Sequence, residues 1–359
     1  MRIAYFVSSH GFGHAARACA VMQRLARDHA DLTIDIFTET PAAFFYTSLS
    51  LPVSVHPCKT DVGLLQKTPL LCDIEGSLQG IRDFLDFDEQ ALESLATSLH
   101  KNHTDLIICD ISPLGLKVAG LAGIHALLIE NFTWDWIYTD YLSDFPQYAE
   151  IIETMAGIFA SARWRIKTRP VCDPGGRYDL LVGPLCRQPR RPAGVVREAL
   201  GIDSTQALVL LTQGGIEGET GFLDLLTDNQ AVLFLVTGAK KTERHGNVFL
   251  MQNDASVYMP DYLNACDAVI GKLGYSTVAE TWQAGLPMMY ITRDSFRESA
   301  TLARFVDESM SAIGLSEADY DNGGWLQRID ELLALPRVRP VNSEQGLHDV
   351  AAFIRERCP

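Results

Sequence analysis

This chain of 359 residues contains no long hydrophobic run. Its apolar stretches, such as Leu106–Cys109 and Ala207–Leu211, have the length of β-strands, whereas a membrane-spanning helix needs about 20 residues. The apolar run that begins the chain is also too short for the hydrophobic part of a secretory signal. The sequence therefore predicts neither a transmembrane segment nor an export signal.

Cysteines with metal-binding spacing are also missing. None of the eight cysteines forms a C-x-x-C motif, and several lie inside apolar segments, where cysteine acts as a small hydrophobic residue. This pattern argues against a disulfide framework and against a structural zinc site. We expect a reduced, cytoplasmic protein with no metal and no cofactor.

Positive charge is scarce. The chain has 30 Lys and Arg residues against 45 Asp and Glu residues, which gives a formal net charge of -15. Proteins that bind duplex nucleic acid normally carry a basic surface, so nucleic acid is not an expected partner. A small anionic ligand stays possible, because backbone N–H groups and a few cations bind phosphate locally.

The arrangement of apolar segments predicts two α/β domains. Domains have about 150 residues, so a chain of 359 residues is expected to form two of them. Short apolar strands alternate with helical patterns in both halves, which is typical of parallel, doubly wound sheets. The strands are predicted at Arg2–Val7, Thr33–Phe37, Leu106–Cys109, Ala126–Ile129, Ala207–Thr212, Ala231–Thr237, Asp267–Ile270 and Pro287–Ile291.

A segment rich in Pro, Gly and Arg separates the two halves, and it predicts a linker at residues 185–193. The first domain is then expected at residues 1–184 and the second at residues 194–359. In doubly wound sheets, ligands bind beyond the carboxyl ends of the strands. We therefore looked for polar residues that directly follow predicted strands.

The first such segment contains Gly11, Gly13 and His14, between a strand and a helix. Read as G-x-G-x-x-A, with Glu39 as the acidic residue that binds ribose, it fits a dinucleotide-binding loop. His14 is unusual in such a loop, and an imidazole at this place suits a general base. An ordinary strand-to-helix turn explains the glycines equally well.

The second half contains two glycine-rich loops after strands. The glycines of each loop allow backbone N–H groups to approach a phosphate. In the second loop, Lys272 can also contact the phosphate, and Glu280 can accept two hydrogen bonds from a ribose. A capped helix start is the alternative explanation. The candidate residues are Gly214, Gly215, Lys272, Gly274, Ser276, Thr277 and Glu280.

Three further segments carry polar or aromatic candidates. Asp110 ends a strand, and Asp294 and Glu298 follow another. Residues 130–136 combine a Phe and two Trp with Asn and Asp, which suits either sugar stacking or a buried core. Two D-x-D sequences, at residues 86–88 and 319–321, are interpreted as solvated surface rather than metal ligands.

These motifs resemble those of GT-B glycosyltransferases, in particular UDP-glycosyltransferases and the bacterial peptidoglycan N-acetylglucosaminyltransferase. The resemblance is strongest to the glycosyltransferase-like N-terminal half of plant-type L-arabinose kinases, and we expect the kinase half to be absent. It rests on segments spread over nearly the whole chain, namely residues 11–15, 131–135, 271–280 and 293–298.

The resemblance implies two facing Rossmann-like domains and a nucleotide-sugar donor, UDP-linked by family analogy, that is held mainly by the second half. Glu280 would bind the ribose, and Gly13 together with Gly214, Gly215, Lys272, Gly274, Ser276 and Thr277 would belong to the donor site. Asp294 and Glu298 would contact the donor sugar. His14 would be the base of a metal-independent transfer, oriented by Asp110.

Two other functions stay open at this point. One is a nucleotide-sugar-binding protein without transfer activity, and the other is an oxidoreductase that binds NAD through the Gly11 loop and Glu39. The sequence does not identify the acceptor, which is expected to be a small molecule or a protein.

Overall fold

The computed structural model describes residues 1–67, 71–203, 205–212, 223–252, 257–293 and 295–357. Within them the chain forms two compact units. The first unit comprises residues 1–67, 71–185 and 343–357, and the second comprises residues from 186 to 342. The change from one unit to the other at residue 186 falls inside the predicted linker.

The first unit is built on a seven-stranded parallel sheet with the order β3-β2-β1-β6-β7-β8-β9. Its central strands are mainly apolar and, apart from Arg2, fully buried, as both faces of a parallel sheet require. A separate two-stranded antiparallel pair, β4 and β5, lies between β3 and β6 in the sequence. The strands are β1 Arg2–Val7, β2 Thr33–Thr38, β3 Val53–Pro57, β4 Leu65–Gln66, β5 Cys72–Asp73, β6 Leu106–Asp110, β7 Ala126–Glu130, β8 Trp164–Thr168 and β9 Leu180–Val182.

The helices of this unit follow the strands as the alternating pattern predicts. Two separate helices lie between β5 and β6, and Asp88 caps the second of them by accepting a hydrogen bond from the Ala91 N–H. The helices are α1 Phe12–Asp28, α2 Ala42–Ser48, α3 Ile74–Leu85, α4 Glu89–Lys101, α5 Pro113–Ala122, α6 Trp134–Tyr138 and α7 Tyr148–Ala160, with a 3₁₀ turn at Thr139–Tyr141.

The second unit also contains a seven-stranded sheet, with the order β12-β13-β11-β10-β14-β15-β16. All neighbours are parallel except the edge pair of β12 and β13. The elements are α8 Ala193–Ala199, β10 Ala207–Thr212, α9 Leu223–Asp228, β11 Val232–Ala239, β12 Glu243–His245, β13 Val248–Gln252, α10 Met259–Ala265, β14 Ala268–Lys272, α11 Tyr275–Ala284, β15 Met288–Ile291, α12 Glu298–Ser309, β16 Ala312–Leu315, α13 Glu317–Asp321, a 3₁₀ helix Gly324–Arg328 and α14 Ile329–Ala334.

Helices cover both faces of this second sheet. Because side chains alternate along a strand, Leu208 and Leu210 of β10 enter one core, together with residues of α8, α10, α11 and α12. Val209 and Leu211 enter the opposite core, together with residues of α9, α13 and α14. This two-sided burial agrees with the doubly wound sheet predicted from the sequence.

The last helix, α15 Gln345–Arg357, belongs to the first unit. The sequence analysis placed residues 343–357 with the second domain, and this is corrected by the structure. The helix packs against α1 and β9, where its buried face includes Leu347 and Val350. Proximity in sequence assigned it to the wrong unit, since its apolar face has no signal that identifies its partner.

In both sheets the strand order reverses beside a central strand. The reversal lies between β1 and β6 in the first unit and between β10 and β14 in the second. In sheets of this kind, ligands bind beyond the carboxyl ends of the strands at such a reversal. No helix among the described residues is long and apolar enough to cross a membrane.

Gly271 allows β14 to approach β10 closely, since an added Cβ would overlap the backbone carbonyl of Thr212. We expect Gly271→Ala to lower the free energy of unfolding by about 1–3 kcal/mol, because the strands must separate to make room. The matched control is Gly194→Ala in α8, where an added Cβ meets nothing within 4 Å. This change should raise stability by up to about 1 kcal/mol, because alanine favours a helix. Urea denaturation of both variants checks the opposite signs; equal effects would contradict the close approach.

Candidate functional site

The β1–α1 loop places His14 at the start of a helix. Gly11 precedes α1 with a φ of 74°, a left-handed conformation that glycine adopts without strain. Gly13 lies in the first turn, and His14 follows it with only 7% of its surface exposed. The sharp turn thus brings an imidazole to the carboxyl end of β1.

His14 forms a buried pair with Asp110, as the sequence analysis expected at this edge of the sheet. Asp110 is the last residue of β6, which lies beside β1, and it is completely buried. The distance from His14 Nδ1 to Asp110 Oδ1 is 2.8 Å. Nε2 of His14 has no hydrogen-bond partner among the described residues. The structure therefore brings together a histidine and the carboxyl group that can orient it.

Arg17 was missed by the sequence analysis, although it lies three residues after His14 and so shares its face of α1. It is 1% exposed and binds both oxygens of Asp110, with Nε 2.8 Å from Oδ2 and Nη2 2.6 Å from Oδ1. Its Nη1 donates to Oδ1 of Asn131 over 2.7 Å. Asn131 follows β7, so the network joins three neighbouring strand ends.

Asp110 is held as a carboxylate. Burial raises the pKa of Asp110, but the charge of Arg17 and the hydrogen bonds from Arg17 and His14 lower it more strongly, so that the net shift is downward. A buried carboxylate without such partners would be costly. The arginine thus explains how a carboxylate is tolerated in the interior.

The residue after Asp110 has an unusual backbone. Ile111 has a φ of 49°, in the left-handed region that β-branched residues rarely adopt. Such conformations cost about 1–3 kcal/mol and persist where the surroundings impose them, often at functional sites. Here α5 begins two residues later, where Ser112 accepts a hydrogen bond from the Gly115 N–H. The strained turn lets β6 end in a side chain that meets α1 before the chain enters α5.

The aromatic residues after β7 belong to the interior. Phe132 and Trp134 are 2% and 0% exposed. The Phe132 ring lies against His14 with 5.8 Å between ring centroids, and Trp134 Nε1 donates to Asp61 over 2.8 Å. Of the two interpretations of this segment, the structure supports the buried core for these two rings. They shape the surroundings of His14 and are not exposed for sugar stacking.

Asp61 was also missed by the sequence analysis. It is 2% exposed, and its Oδ1 has no hydrogen-bond partner among the residues that the structure describes. Burial raises the pKa of Asp61, although neighbouring hydrogen bonds and the charge of His14 oppose the shift. No sequence signal identified Asp61, because the loop after β3 does not show the regular spacing of apolar residues that is typical of a helix or a strand.

In the second unit, the glycine loop after β14 leads into α11. The helix begins at Tyr275 and is preceded by Gly274, which offers no side-chain cap. Ser276 and Thr277 therefore lie in the first turn rather than before it, and both are partly exposed. Lys272 is the last residue of β14 and is 9% exposed. A helix start without a side-chain cap retains N–H groups that favour an anion.

Glu280 is held by an arginine of the linker. The Arg187 Nε lies 2.8 Å from Glu280 Oε1, and the Arg187 Nη2 lies 3.4 Å from Oε2. Both side chains are buried, with 7% and 5% exposure. A carboxylate has about four lone-pair positions, so it can still accept hydrogen bonds from a ligand. Nothing in the linker sequence indicated this pairing, since three arginines lie close together there.

Of the four remaining candidate residues, only Glu298 lies among the described residues. Glu298 is the first residue of α12 and is 4% exposed. Gly214, Gly215 and Asp294 lie outside the described residues.

The D-x-D sequences are surface features, as interpreted. Asp88 caps α4, and Asp319 accepts a hydrogen bond from Ser316 within α13. Within the described ranges, no group of three His, Cys, Asp or Glu residues is arranged to hold a metal ion. Glu39, the acidic residue of the dinucleotide interpretation, is exposed just after β2.

No protein-family model matches the chain. It is 27% identical over 337 residues to L-arabinokinase of Arabidopsis thaliana, covering 92% of this chain and 32% of that protein. It is 32% identical over 77 residues to the UDP-N-acetylglucosamine--N-acetylmuramyl-(pentapeptide) pyrophosphoryl-undecaprenol N-acetylglucosamine transferase of Bacillus licheniformis, covering 21% of each. The matched region thus spans about a third or less of these curated relatives.

Solved structures resemble the whole chain. The glycotransferase of kitacinnamycin matches with a TM-score of 0.64 and 14% identity, covering 100% of this chain and 99% of that one. The Arabidopsis thaliana UGT89C1 complexed with UDP matches with a TM-score of 0.58 and 15% identity, covering 99% of this chain and 94% of that one. The chain has the GT-B fold of glycosyltransferases. The resemblance stated from the motifs is confirmed at the level of the fold.

The lowered pKa of Asp110 predicts an acid-sensitive contribution to stability. This contribution is fully present above the unfolded pKa of about 3.9 and is lost as the pH falls through the lower folded value. We expect Asp110→Asn to lower the free energy of unfolding at pH 7 by about 3–5 kcal/mol, because Arg17 is left without its carboxylate. The loss should shrink towards pH 3 in urea denaturation.

The matched control is Asp28→Asn, which breaks the Arg24–Asp28 pair at the other end of α1. That pair lies near the surface and spans four residues of one helix, so its loss should cost less than about 1 kcal/mol. Equal stability of Asp110→Asn and the wild type at pH 7 would contradict the proposed charge network.

Proposed function

We propose that this protein is a glycosyltransferase that moves a sugar from a nucleotide diphosphate sugar to a hydroxyl group of an acceptor. The observation that carries the proposal is the buried His14–Asp110 pair at the carboxyl ends of β1 and β6 in a GT-B fold. A fold alone does not determine an activity, so the argument rests on what this pair can do.

The pair fixes which nitrogen of His14 acts as the base. Asp110 is a carboxylate and can only accept, so the 2.8 Å contact requires the proton on Nδ1 of the neutral imidazole. Nε2 then carries the lone pair, which takes the proton of the acceptor hydroxyl. The acceptor oxygen forms a bond to the anomeric carbon of the sugar. The bond from that carbon to the phosphate oxygen breaks, and the nucleotide diphosphate leaves with the electron pair.

The second unit supplies groups for the donor. The uncapped start of α11 favours the negative charge that grows on the leaving diphosphate, with Lys272 nearby in sequence. Ser276 and Thr277 offer hydroxyl groups in the same turn. Glu280, oriented by Arg187, accepts hydrogen bonds from the ribose. These groups account for the developing charge without a metal ion, and we propose metal-independent transfer.

The donor is proposed to be UDP-linked. Support comes from the UDP complex of a structural neighbour and from the UDP-N-acetylglucosamine named for one relative. Glu298 and Asp294 are proposed to contact the donor sugar, and Gly13, Gly214, Gly215 and Gly274 to allow its phosphates to approach the backbone. The acceptor is a small molecule or a protein with a free hydroxyl group.

Replacing His14 tests the proposed chemistry. In His14→Ala, transfer should fall by about 10²–10⁴-fold, because the acceptor loses its base. Donor binding should change less than about threefold, because the proposed donor side chains lie on the second unit. Nucleotide diphosphate release from UDP-sugars, with a mixture of sugar, polyol and phenol acceptors, measures turnover, and calorimetry with UDP measures binding. The control is His100→Ala, an exposed histidine of α4.

The outcomes separate the three candidate functions. Binding that falls as much as turnover would make His14 a structural residue. A wild type that binds UDP-sugars and transfers nothing to the acceptor mixture or to water would favour a nucleotide-sugar-binding protein. Binding of NAD in place of UDP would favour the oxidoreductase.

Metal independence has a separate test. Turnover of the wild type in excess EDTA should stay within about twofold of its value without chelator, because helix N–H groups and Lys272 replace a cation at the diphosphate. A control enzyme that requires Mg²⁺ confirms that the chelator acts. Loss of turnover in EDTA, restored by added Mg²⁺ or Mn²⁺, would contradict this part of the proposal.

A further inference from the structure

Arg17 lies at the centre of the buried network in the first unit. Its guanidinium donates to both oxygens of Asp110 and to Asn131, over distances of 2.6–2.8 Å. Its Nη2 also lies 3.2 Å from Nδ1 of His14. The side chain is 1% exposed, so water does not screen its charge from the pair.

His14 Nδ1 therefore faces a hydrogen-bond acceptor, Asp110, and a hydrogen-bond donor, Arg17. Asp110 Oδ1 accepts a hydrogen bond from a protonated Nδ1, whereas an N–H of Arg17 would donate a hydrogen bond to an unprotonated Nδ1. If Asp110 carried a proton, its O–H would donate a hydrogen bond to an unprotonated Nδ1. The proton of the neutral imidazole would then be on Nε2. Nε2 would then have no lone pair for an acceptor hydroxyl. The state of Asp110 thus decides whether His14 can act as a base.

Arg17 decides the state of Asp110. A protonated carboxyl group would keep only one full acceptor oxygen, whereas Arg17 uses both. The paired N–H groups of a guanidinium match a carboxylate and fix its orientation as well as its charge. With Asp110 fixed as a carboxylate, the short contact at 2.8 Å is an Nδ1–H donating to Oδ1.

We propose that Arg17 is a positioning residue that keeps Asp110 ionised and thereby keeps the proton of neutral His14 on Nδ1. The inference deepens the proposed function and rests on it for its catalytic meaning. Arg17 has a second effect, because its positive charge lies beside the imidazole. This charge balances the negative charge of Asp110 next to the imidazole.

Other titratable groups around the pair come from several elements. Tyr5 of β1 and Cys109 of β6 are fully buried, and burial raises the pKa of each well above its ordinary value, so both are neutral at pH 7. Cys19 of α1 interacts electrostatically with the Tyr5 hydroxyl. Asp61, after β3, interacts with His14, and burial raises its pKa. Arg17 is thus the positive charge in contact with both members of the pair.

The test is a pH titration of His14 by NMR, with nitrogen-labelled histidine, in the wild type and three variants. His14→Gln assigns the signal. In Arg17→Gln, the uncompensated carboxylate favours the imidazolium, and the titration midpoint should rise by about one pH unit or more. In Asp110→Asn, the uncompensated guanidinium disfavours the imidazolium, and the midpoint should fall by a similar amount. In the double variant Arg17→Gln/Asp110→Asn, the midpoint should return to within about 0.5 unit of the wild type.

The double variant also protects the test against a failure to fold. Removing both members of a buried ion pair costs far less than removing one. If Arg17→Gln does not fold, the comparison of Asp110→Asn with the double variant measures the same loss of Arg17, and the double variant should titrate about one unit higher. The neutral wild-type imidazole should carry its proton on Nδ1.

A merely structural arginine would give a different result. Its replacement would lower the unfolding temperature and leave the midpoint of His14 within about 0.3 unit, which would overturn the proposal. Arg24→Gln is the matched control, since Arg24 lies two turns further along α1 and pairs with Asp28 near the surface. It should leave the His14 titration unchanged.

Turnover provides the second measurement. In Arg17→Gln, the acidic limb of the pH profile of kcat/KM should move up with the NMR midpoint, whereas Arg17→Lys, which keeps the charge, should restore the wild-type limb. A wild type without transfer activity would remove the proposed function, but the NMR comparison would still decide what Arg17 does. Activity that depends on His14, with an unmoved limb in Arg17→Gln, would remove the inference alone.

Discussion

The buried carboxylate of Asp110 is the constraint on which the proposed catalytic site depends. A carboxyl group with no solvent exposure tends to take up a proton, and Arg17 prevents this by binding both of its oxygens. His14 and Asn131 complete the network, and they come from the elements that follow β1 and β7. The orientation of His14 is therefore set by a network that joins the carboxyl ends of three neighbouring strands.

The sheet topology explains why these residues meet. Parallel strands that diverge from a central strand leave their carboxyl ends open, and side chains placed there are separated by about one strand spacing. His14 and Asp110 are 96 residues apart in sequence, yet they follow adjacent strands β1 and β6. In the second unit, the same geometry brings the carboxyl ends of β10 and β14 to one edge of the sheet. The two units thus carry different functional groups at the carboxyl ends of their central strands.

Much of this could be predicted from the sequence, because apolar strands and strand-to-helix loops have local signals. These signals located His14, Asp110 and the α11 loop. Partners that depend on tertiary packing had no such signal: Arg17 looks like any polar residue of an amphipathic helix, and Arg187 is one of several linker arginines. The last helix was assigned to the wrong unit for the same reason, since an apolar helix face does not specify its partner.

The central claim is that the second unit binds a nucleotide diphosphate sugar through Glu280. The most direct test measures the unfolding temperature with UDP, GDP, dTDP, their sugars and NAD, in the wild type, in Glu280→Ala and in the exposed control Glu317→Ala. A ligand at 100 times its Kd stabilises a protein by about 2.7 kcal/mol, a rise of several degrees. The account predicts a rise with one nucleotide family that Glu280→Ala abolishes and Glu317→Ala keeps. No rise with any nucleotide, or a rise with NAD alone, would contradict it.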